Sequence, residues 1–453
     1  MPGILTRLIG GDLAALAADP LGEFVRRSRQ GGVVPLKIGL VRGHFVSDPA
    51  VARHVLLQNS DNYDRRTPAF DALRVVLGNG LITSGGAFWK RQRRIAQPAF
   101  LSESVRNFAP VIARLAAETA DDWERDAARG DPVDACTDMM RVTLRIVAEA
   151  LFGDDLADDA PVINREFPVI VACLAARIAS PIRPPVWLPT ANNRRLRPAL
   201  AALDAIVTRL IATKRRRLAE EGGPQDGHRD LLTTLMLARD AETGEAMSDA
   251  QLRDEVMTFM ISGHETTATA LSWLWYLLDR HPEEQDRLRD ELRGVTGGRP
   301  PTVDHLSQLP RLRAVVQETL RLYPPLWMFD RRALGPDDLA GTRVAKGDLV
   351  IFCPYSSHRL PELWSDPEAF RPERFEEGHA EQKNKFAYMP FGVGPRTCIG
   401  IHLAMIEAQI IMGTLLGRFR ARLADPAPIT PKARVTLRPS RPVVLRLERA
   451  SLA

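Results

Sequence analysis

From residue 49 to about 292 the apolar positions recur every three or four residues, so this stretch reads as a succession of amphipathic helices. Ahead of it, 33–47 (VVPLKIGLVRGHFVS) alternates with the period of two that predicts a short hairpin. Between about 330 and 385 the helical period is lost. Short apolar runs such as Asp348 to Phe352 are punctuated by Pro354, Pro361, Pro367 and Pro372, which predicts strands and a meander. A helix returns from about Ile401 to Phe419, and 431–447 (PKARVTLRPSRPVVLRL) alternates as a terminal hairpin. No repeat, low-complexity tract or long Gly/Ser linker marks a cut. The chain, 1–453, reads as one mainly α domain with a small β lobe built from 33–47, 330–385 and 431–447.

The long helical run from about Ser248 to Arg280 carries Ser262-Gly263-His264-Glu265-Thr266-Thr267 at its middle. Glycine and a set of polar or β-branched residues weaken a helix there, so something else must compensate. A locally kinked core helix is the plain reading.

Composition narrows the class. With 45% apolar and 26% charged residues the 453-residue chain sits at the average of folded globular proteins, which excludes disorder and a membrane bundle. Its N-terminus is broken by Gly10, Gly11, Asp12 and Asp19, leaving neither a secretory core nor a span, so a cytoplasmic location is expected. Cys136, Cys173, Cys353 and Cys398 lie far apart, which fits a reducing compartment and no disulfide framework. The net charge of +5 comes from clusters such as Lys214 to Arg217 and Lys90 to Arg94 on helical patterns. No aromatic-basic interleaving accompanies them, so an acidic protein partner is expected and nucleic acid is not.

One cysteine has unusual neighbours. Phe391-Gly392-Val393-Gly394-Pro395-Arg396-Thr397-Cys398-Ile399-Gly400 is a Gly-rich loop that delivers Cys398 just ahead of a helix. Backbone without side chains can approach a flat ligand closely, and its N–H groups can point at a sulfur. A lone Cys is more often a small buried hydrophobe. Here, matching Phe391, Gly392, Gly394, Arg396, Cys398 and Gly400 together has a chance on the order of 10⁻⁸ per starting point. At these residues the chain resembles the cytochrome P-450 family.

The resemblance implies a triangular-prism fold with haem b held between the long groove helix and the cysteine-loop helix. It makes Cys398 the thiolate ligand of the iron, Arg396 a partner of a haem propionate, Phe391 a shield of the sulfur, and Gly392, Gly394 and Gly400 room for the porphyrin. Trp89 and Arg93, four apart on one helical face, are suited to a carboxylate and in the family hold a propionate. Arg331 would hold the other side, with Arg332 as the alternative. Glu318 and Arg321, three apart on a helix, match with Arg374 the family's structural Glu/Arg/Arg triad. His358 matches a hydrogen-bonded fold residue. Gly263, Glu265 and Thr266 match the oxygen-binding groove, where the acid and alcohol relay protons. Ser262 stands where Ala is usual, and His264 is expected to be packed or solvated. The resemblance runs from about 17 to 447, with four motifs in family order.

It further implies a monooxygenase that splits dioxygen with two electrons and two protons. The electrons would come from NAD(P)H through a separate ferredoxin or flavodoxin with its reductase, and Lys90, Arg91 and Arg94 would face that partner. A peroxide-driven haem enzyme and a non-catalytic haem sensor are the rival readings; the intact Glu265-Thr266 pair disfavours both. A monomer is expected. The distal pocket is expected to be lined by Met257, Met260, Ile261, Leu326, Trp327, Met328, Phe329, Thr436 and Leu437. Nearly all are apolar, which suits a bulky hydrophobic substrate such as a fatty acid, terpenoid or aromatic natural product. Core packing is the competing role for Trp327 and Phe329.

Overall fold

The structure, a computed structural model, describes residues 12–38, 41–153, 159–180, 183–220, 230–376 and 384–450. The readings of the extreme N-terminus (1–11) and of the end of the meander (377–383) lie outside the described residues. The helices that position the site are α1 (Pro68–Leu77), α2 (Gly86–Ala96), α3 (Ala109–Arg129), α4 (Ala135–Phe152), α5 (Ala160–Ala179), α6 (Ala191–Glu220), α7 (Asp249–Arg280), α8 (Pro310–Leu322) and α9 (Ile401–Arg418).

Helix α7 is the axis of the molecule. Ser248 caps it through a reciprocal capping box: its hydroxyl accepts from Gln251 N–H at 3.3 Å, while Ser248 N–H donates to the Gln251 side chain at 2.8 Å. From Leu252 to Leu278 it is buried almost all round, as expected of a helix whose apolar residues are not confined to one stripe. It packs on α4 along much of its length, and on α1, α6, α8 and α9 elsewhere. The apolar residues of these helices form the main core, in which Trp123, Trp273 and Trp275 are fully buried.

The β lobe is a five-stranded sheet ordered β1-β2-β8-β5-β3, formed by Val33–Ile38, Val41–Val46, Leu349–Phe352, Phe329–Ala333 and Tyr63–Asp64. β1 and β2 form the expected hairpin, with Val33 opposite Val46. β2 and β8 run parallel; every other neighbour pair in the sheet is antiparallel. The short strands Val133–Asp134 (β4), Asp337–Leu339 (β6), Thr342–Val344 (β7) and Phe419–Leu423 (β9) complete the meander and the margin of the core.

The alternation at 431–447 is divided between two sheets, which corrects the single hairpin expected from the sequence. Pro431–Ala433 (β10) and Leu437–Pro439 (β11) pair as a tight hairpin, whereas Val444–Arg449 (β12) joins β9 and β4. Pro439 and Pro442 explain the division, because proline has no N–H to continue a ladder. The β10–β11 hairpin is pinned against the core. Trp273 of α7 donates its indole N–H to Leu437 O at 2.6 Å, and Leu437 N–H donates to Pro325 O at 3.0 Å.

Candidate functional site

The cysteine loop is built on backbone that only glycine adopts readily. Gly392 and Gly394 have φ of +66° and +75°, and a Cβ on Gly394 would lie 2.0 Å from the Leu56 carbonyl oxygen. Gly392 N–H donates to Met389 O at 3.0 Å, and Cys398 N–H returns to Phe391 O at 2.9 Å, closing the loop just ahead of α9. Cys398 is the exposed one among the four cysteines, yet burial pushes its thiol up, with Gly400 N–H, Arg93 and Arg65 acting in the opposite direction. Both observations fit one place: its side chain faces an internal cleft that water can reach but that protein surrounds.

Behind the loop stands a buried polar frame. Glu318 accepts from Arg321 through Oε2 at 2.7 Å and Oε1 at 2.8 Å, and from Arg374 Nε at 3.3 Å; these side chains are at most 1% exposed. Arg321 also donates to the carbonyls of His358, Pro367 and Ala369 at 2.8, 2.7 and 3.0 Å. The His358 ring then connects frame and loop, with Nδ1 3.0 Å from Arg321 O and Nε2 accepting from Met389 N–H at 3.0 Å. The expected triad and His358 therefore form one connected frame, which meets the loop at Met389, three residues upstream of Gly392.

On the other side of the cleft four guanidinium groups converge: Arg65, Arg93, Arg331 and Arg396. Burial lowers Arg331 to about 10; burial first, and then the positive neighbours Arg331 and Arg93, lower Arg396 to about 9. Arg65 is pushed well down, by burial first and then by Arg331 and Arg396. The nearby carboxylates are already engaged, Asp330 by the Thr67 hydroxyl at 2.9 Å and Asp64 by Arg66. Arg396 lies 3.6 Å from the centre of the Trp89 ring. Strand alternation decides between Arg331 and Arg332: Arg331 is buried, whereas Arg332 points to solvent. Arg65 was missed from sequence because Tyr63-Asp64-Arg65-Arg66 looks like an ordinary charged turn.

At the middle of α7, Ser262, Gly263 and Thr266 are only partly buried while the residues around them are buried, so one face of the helix borders the same internal space. Thr266 donates its hydroxyl to Ser262 O at 2.7 Å, and Ser262 donates to Thr258 O at 2.7 Å. These back-bonds satisfy the hydroxyls in a stretch that composition alone weakens. Gly263 also has a packing reason: a Cβ there would meet the Val147 side chain of α4 at 2.8 Å, so the glycine permits close helix packing. His264 is packed, its ring edge-on to Phe167 at 4.5 Å, with burial lowering it to about 4.

Glu265 does not face Thr266. Its Oε1 accepts from the Thr436 hydroxyl at 2.7 Å and from Arg438 Nη2 and Nε at 2.7 and 3.1 Å. Partners 171 and 173 residues away in the chain are not suggested by local pattern; the β10–β11 hairpin brings Thr436 and Arg438 to the helix.

The family model described as cytochrome P450 matches residues 14–446. The chain belongs to the cytochrome P450 family. A relative named cyclooctatin synthase, from Streptomyces melanosporofaciens, is 35% identical over 95% of this chain and 91% of its own. One named pentalenene oxygenase, from Streptomyces avermitilis, is 32% identical over 94% of this chain and 92% of its own. The solved cytochrome P450DA heme domain superposes with a TM-score of 0.85 at 26% identity, covering 96% of this chain and 94% of that one. The chain is accordingly a P450 monooxygenase with the P450 fold, and the family's cofactor is haem.

The residues present suit that cofactor. Haem supplies two carboxylates, and the cleft offers four crowded cations whose nearby carboxylates are taken. It also needs a free thiolate donor, and Cys398 faces the cleft at the start of α9, where helix N–H groups favour an anion.

Lys90, Arg91 and Arg94 do not form a bare cationic face: Lys90 meets Asp61 at 2.9 Å, Arg91 pairs with Glu245, and Arg94 meets Asp240 and Glu242, each at 2.9 Å. The expected pocket residues also do not gather in one lining. Met257, Met260 and Ile261 belong to the main helical core, Phe329 stacks on Phe352 inside the β lobe, and Trp327 and Leu437 share a third cluster with Phe24 and Phe45, against which Met328 packs. Leu326 is exposed. Short-range pattern could not separate these environments, because a strand alternates its faces and 326–329 spans the step from loop to strand. Among the described residues, no helix is long and apolar enough to cross a membrane.

Proposed function

We propose that this P450 hydroxylates, or otherwise oxidises, a bulky hydrophobic molecule of the terpenoid class, using haem b held by Cys398 and electrons delivered from NAD(P)H by a separate ferredoxin or flavodoxin. The observation that carries the cofactor reading is the convergence of Arg65, Arg93, Arg331 and Arg396 beside the cleft that Cys398 faces. Arg65, Arg93, Arg331, Arg396 and Trp89 would hold the propionates; Cys398 would hold the iron. When bound, haem supplies the oxygen-activating chemistry.

The chain's own residues contribute the remainder. Partly buried Ser262, Gly263 and Thr266 give the cleft a small polar strip on an otherwise apolar helix face. Thr266 donates to Ser262 O, which leaves its oxygen lone pairs able to receive a proton, while Glu265 is a buried carboxylate one residue away. The terpenoid class is supported by the relatives' names, cyclooctatin synthase and pentalenene oxygenase, and by the lack of charged side chains on that strip.

The test is a titration of the purified haem protein with cyclic terpene hydrocarbons, followed by turnover with a ferredoxin, its reductase and NADPH under isotopically labelled dioxygen. A spin-state shift and a product carrying one labelled oxygen support the reading. Product formed only with added peroxide, its oxygen unlabelled, would favour the peroxide-driven alternative instead.

A further inference from the structure

Residues 78–84, which join α1 to α2, lie flat on α7 one turn ahead of the Ser262–Thr266 strip. Two glycines allow this approach. Gly78 has φ of +55° and a Cβ there would lie 2.1 Å from Asp254 Oδ1; a Cβ on Gly80 would lie 2.2 Å from Thr258 Oγ1 and 2.8 Å from Asp254 O. Thr258 is four residues before Ser262, so the segment and the polar strip share a face of the helix.

Three successive residues of α7 grip this backbone. Arg253 Nη1 donates to Val76 O at 3.0 Å, Asn79 N–H donates to Asp254 Oδ2 at 2.7 Å, and Leu81 N–H donates to Glu255 Oε2 at 3.0 Å. Arg253 also donates to Asp204 of α6 through Nε at 2.8 Å, so α6 is tied to the same point. The opposite side of the segment is held by the cofactor-side cations. Arg65 donates to Ile82 O at 3.1 Å, and Arg396 donates to Leu81 O and Ser84 O at 3.4 and 3.0 Å.

Glu255 is the telling member. It is 1% exposed and sits beside Asp254, and among the described residues its hydrogen-bond partner is one backbone amide, not a cation. A buried carboxyl with so little compensation costs stability, so packing alone does not account for it.

We propose that Arg253, Asp254 and Glu255 form a clasp that positions residues 76–84 over the distal cleft, making them positioning residues that set how large a molecule can pass to the haem. This rests on the reading of α7 as the helix that borders the substrate side. Because the two acids of the clasp hold N–H groups of the segment while Arg65 and Arg396, on the proposed propionate side, hold its C=O groups, the segment's order is tied both to α7 and to the cofactor.

The test compares the haem-loaded wild type with E255A, D254A and G80A, and with E255Q as the conservative variant that keeps an acceptor for Leu81 N–H. Amide hydrogen exchange at Asn79 and Leu81 should quicken about tenfold in D254A and E255A respectively, as expected for loss of one hydrogen bond to a side-chain carboxyl oxygen, with the rest of α7 unchanged. Association of 4-phenylimidazole with the haem should quicken in parallel, while that of carbon monoxide, which needs no wide opening, stays the same. E255Q should behave as wild type. G80A displaces the segment while keeping both carboxyl side chains, and should give the same result as E255A. Unchanged exchange at Asn79 and Leu81, or unchanged 4-phenylimidazole association in both E255A and G80A, overturns the clasp. Exchange reads the clasp whatever the protein oxidises, so a failure of the functional reading would leave that arm intact.

Discussion

Arg438 grips the buried carboxylate of Glu265 from the terminal hairpin, with Nη2 2.7 Å and Nε 3.1 Å from Oε1. The Glu265 side chain is 3% exposed and that of Arg438 is 40% exposed, so this pair joins the middle of α7 to solvent. Thr436 occupies the same oxygen, and among the described residues Oε1 takes all three bonds.

The first prediction follows from that pairing. R438Q leaves a buried carboxylate with only Thr436, and should cost about 2 kcal/mol of stability, read by chemical denaturation. R438K should recover most of it. T266A and E265Q should retain haem and substrate binding but consume NADPH with little product, releasing peroxide. Wild-type coupling in both would remove Glu265 and Thr266 from proton delivery.

The arginine cluster gives a prediction with opposite signs in two states. R65Q removes a cation that burial and its neighbours Arg331 and Arg396 both disfavour, so the haem-free protein should become more stable. The haem-loaded protein should release its cofactor to a haem acceptor roughly tenfold faster, through loss of one charge-assisted contact. Slower or unchanged release would take Arg65 out of the propionate site.

His358 supplies a pH dependence. Burial lowers its ring from 6.5 to about 3, so the folded protein holds it neutral. Its contribution to stability is therefore present above the unfolded value of 6.5 and is lost as pH falls toward about 3. The full loss is on the order of 5 kcal/mol. H358Q, which does not titrate, should show a flatter fall in denaturation midpoint across that range; an identical slope would show that His358 charges without cost.

Much of the site was legible in local pattern because local pattern builds it. The Ser248–Gln251 capping box marks where α7 begins, and the glycine spacing around Cys398 reflects φ values that other residues avoid. The triad was legible in part: Glu318 and Arg321 share a helix turn, and Arg374 came from the family pattern. What stayed hidden depends on distant chain segments. Arg65 becomes special only beside Arg331 and Arg396, and Glu265 finds Arg438 only through a hairpin that the sequence extends too far. Trp327 looked like a pocket wall because nothing near it in sequence announces Phe24, whose ring centre is 6.3 Å away.

That position yields a corrected prediction. Trp327 is 9% exposed and donates its indole N–H to Arg434 O at 2.9 Å, so W327A should cost about 3–5 kcal/mol through cavity formation. Terpene titration of the folded fraction should change little. A large loss of affinity without loss of stability would return Trp327 to the pocket.

The account stands most directly on Cys398 as the thiolate partner of haem, and one spectrum tests it. The ferrous protein under carbon monoxide should show the strongly red-shifted Soret band that an anionic sulfur donor produces, and C398S should lose that band while C136S, C173S and C353S keep it. A band at the ordinary position in the wild type, or its persistence in C398S, would contradict the account.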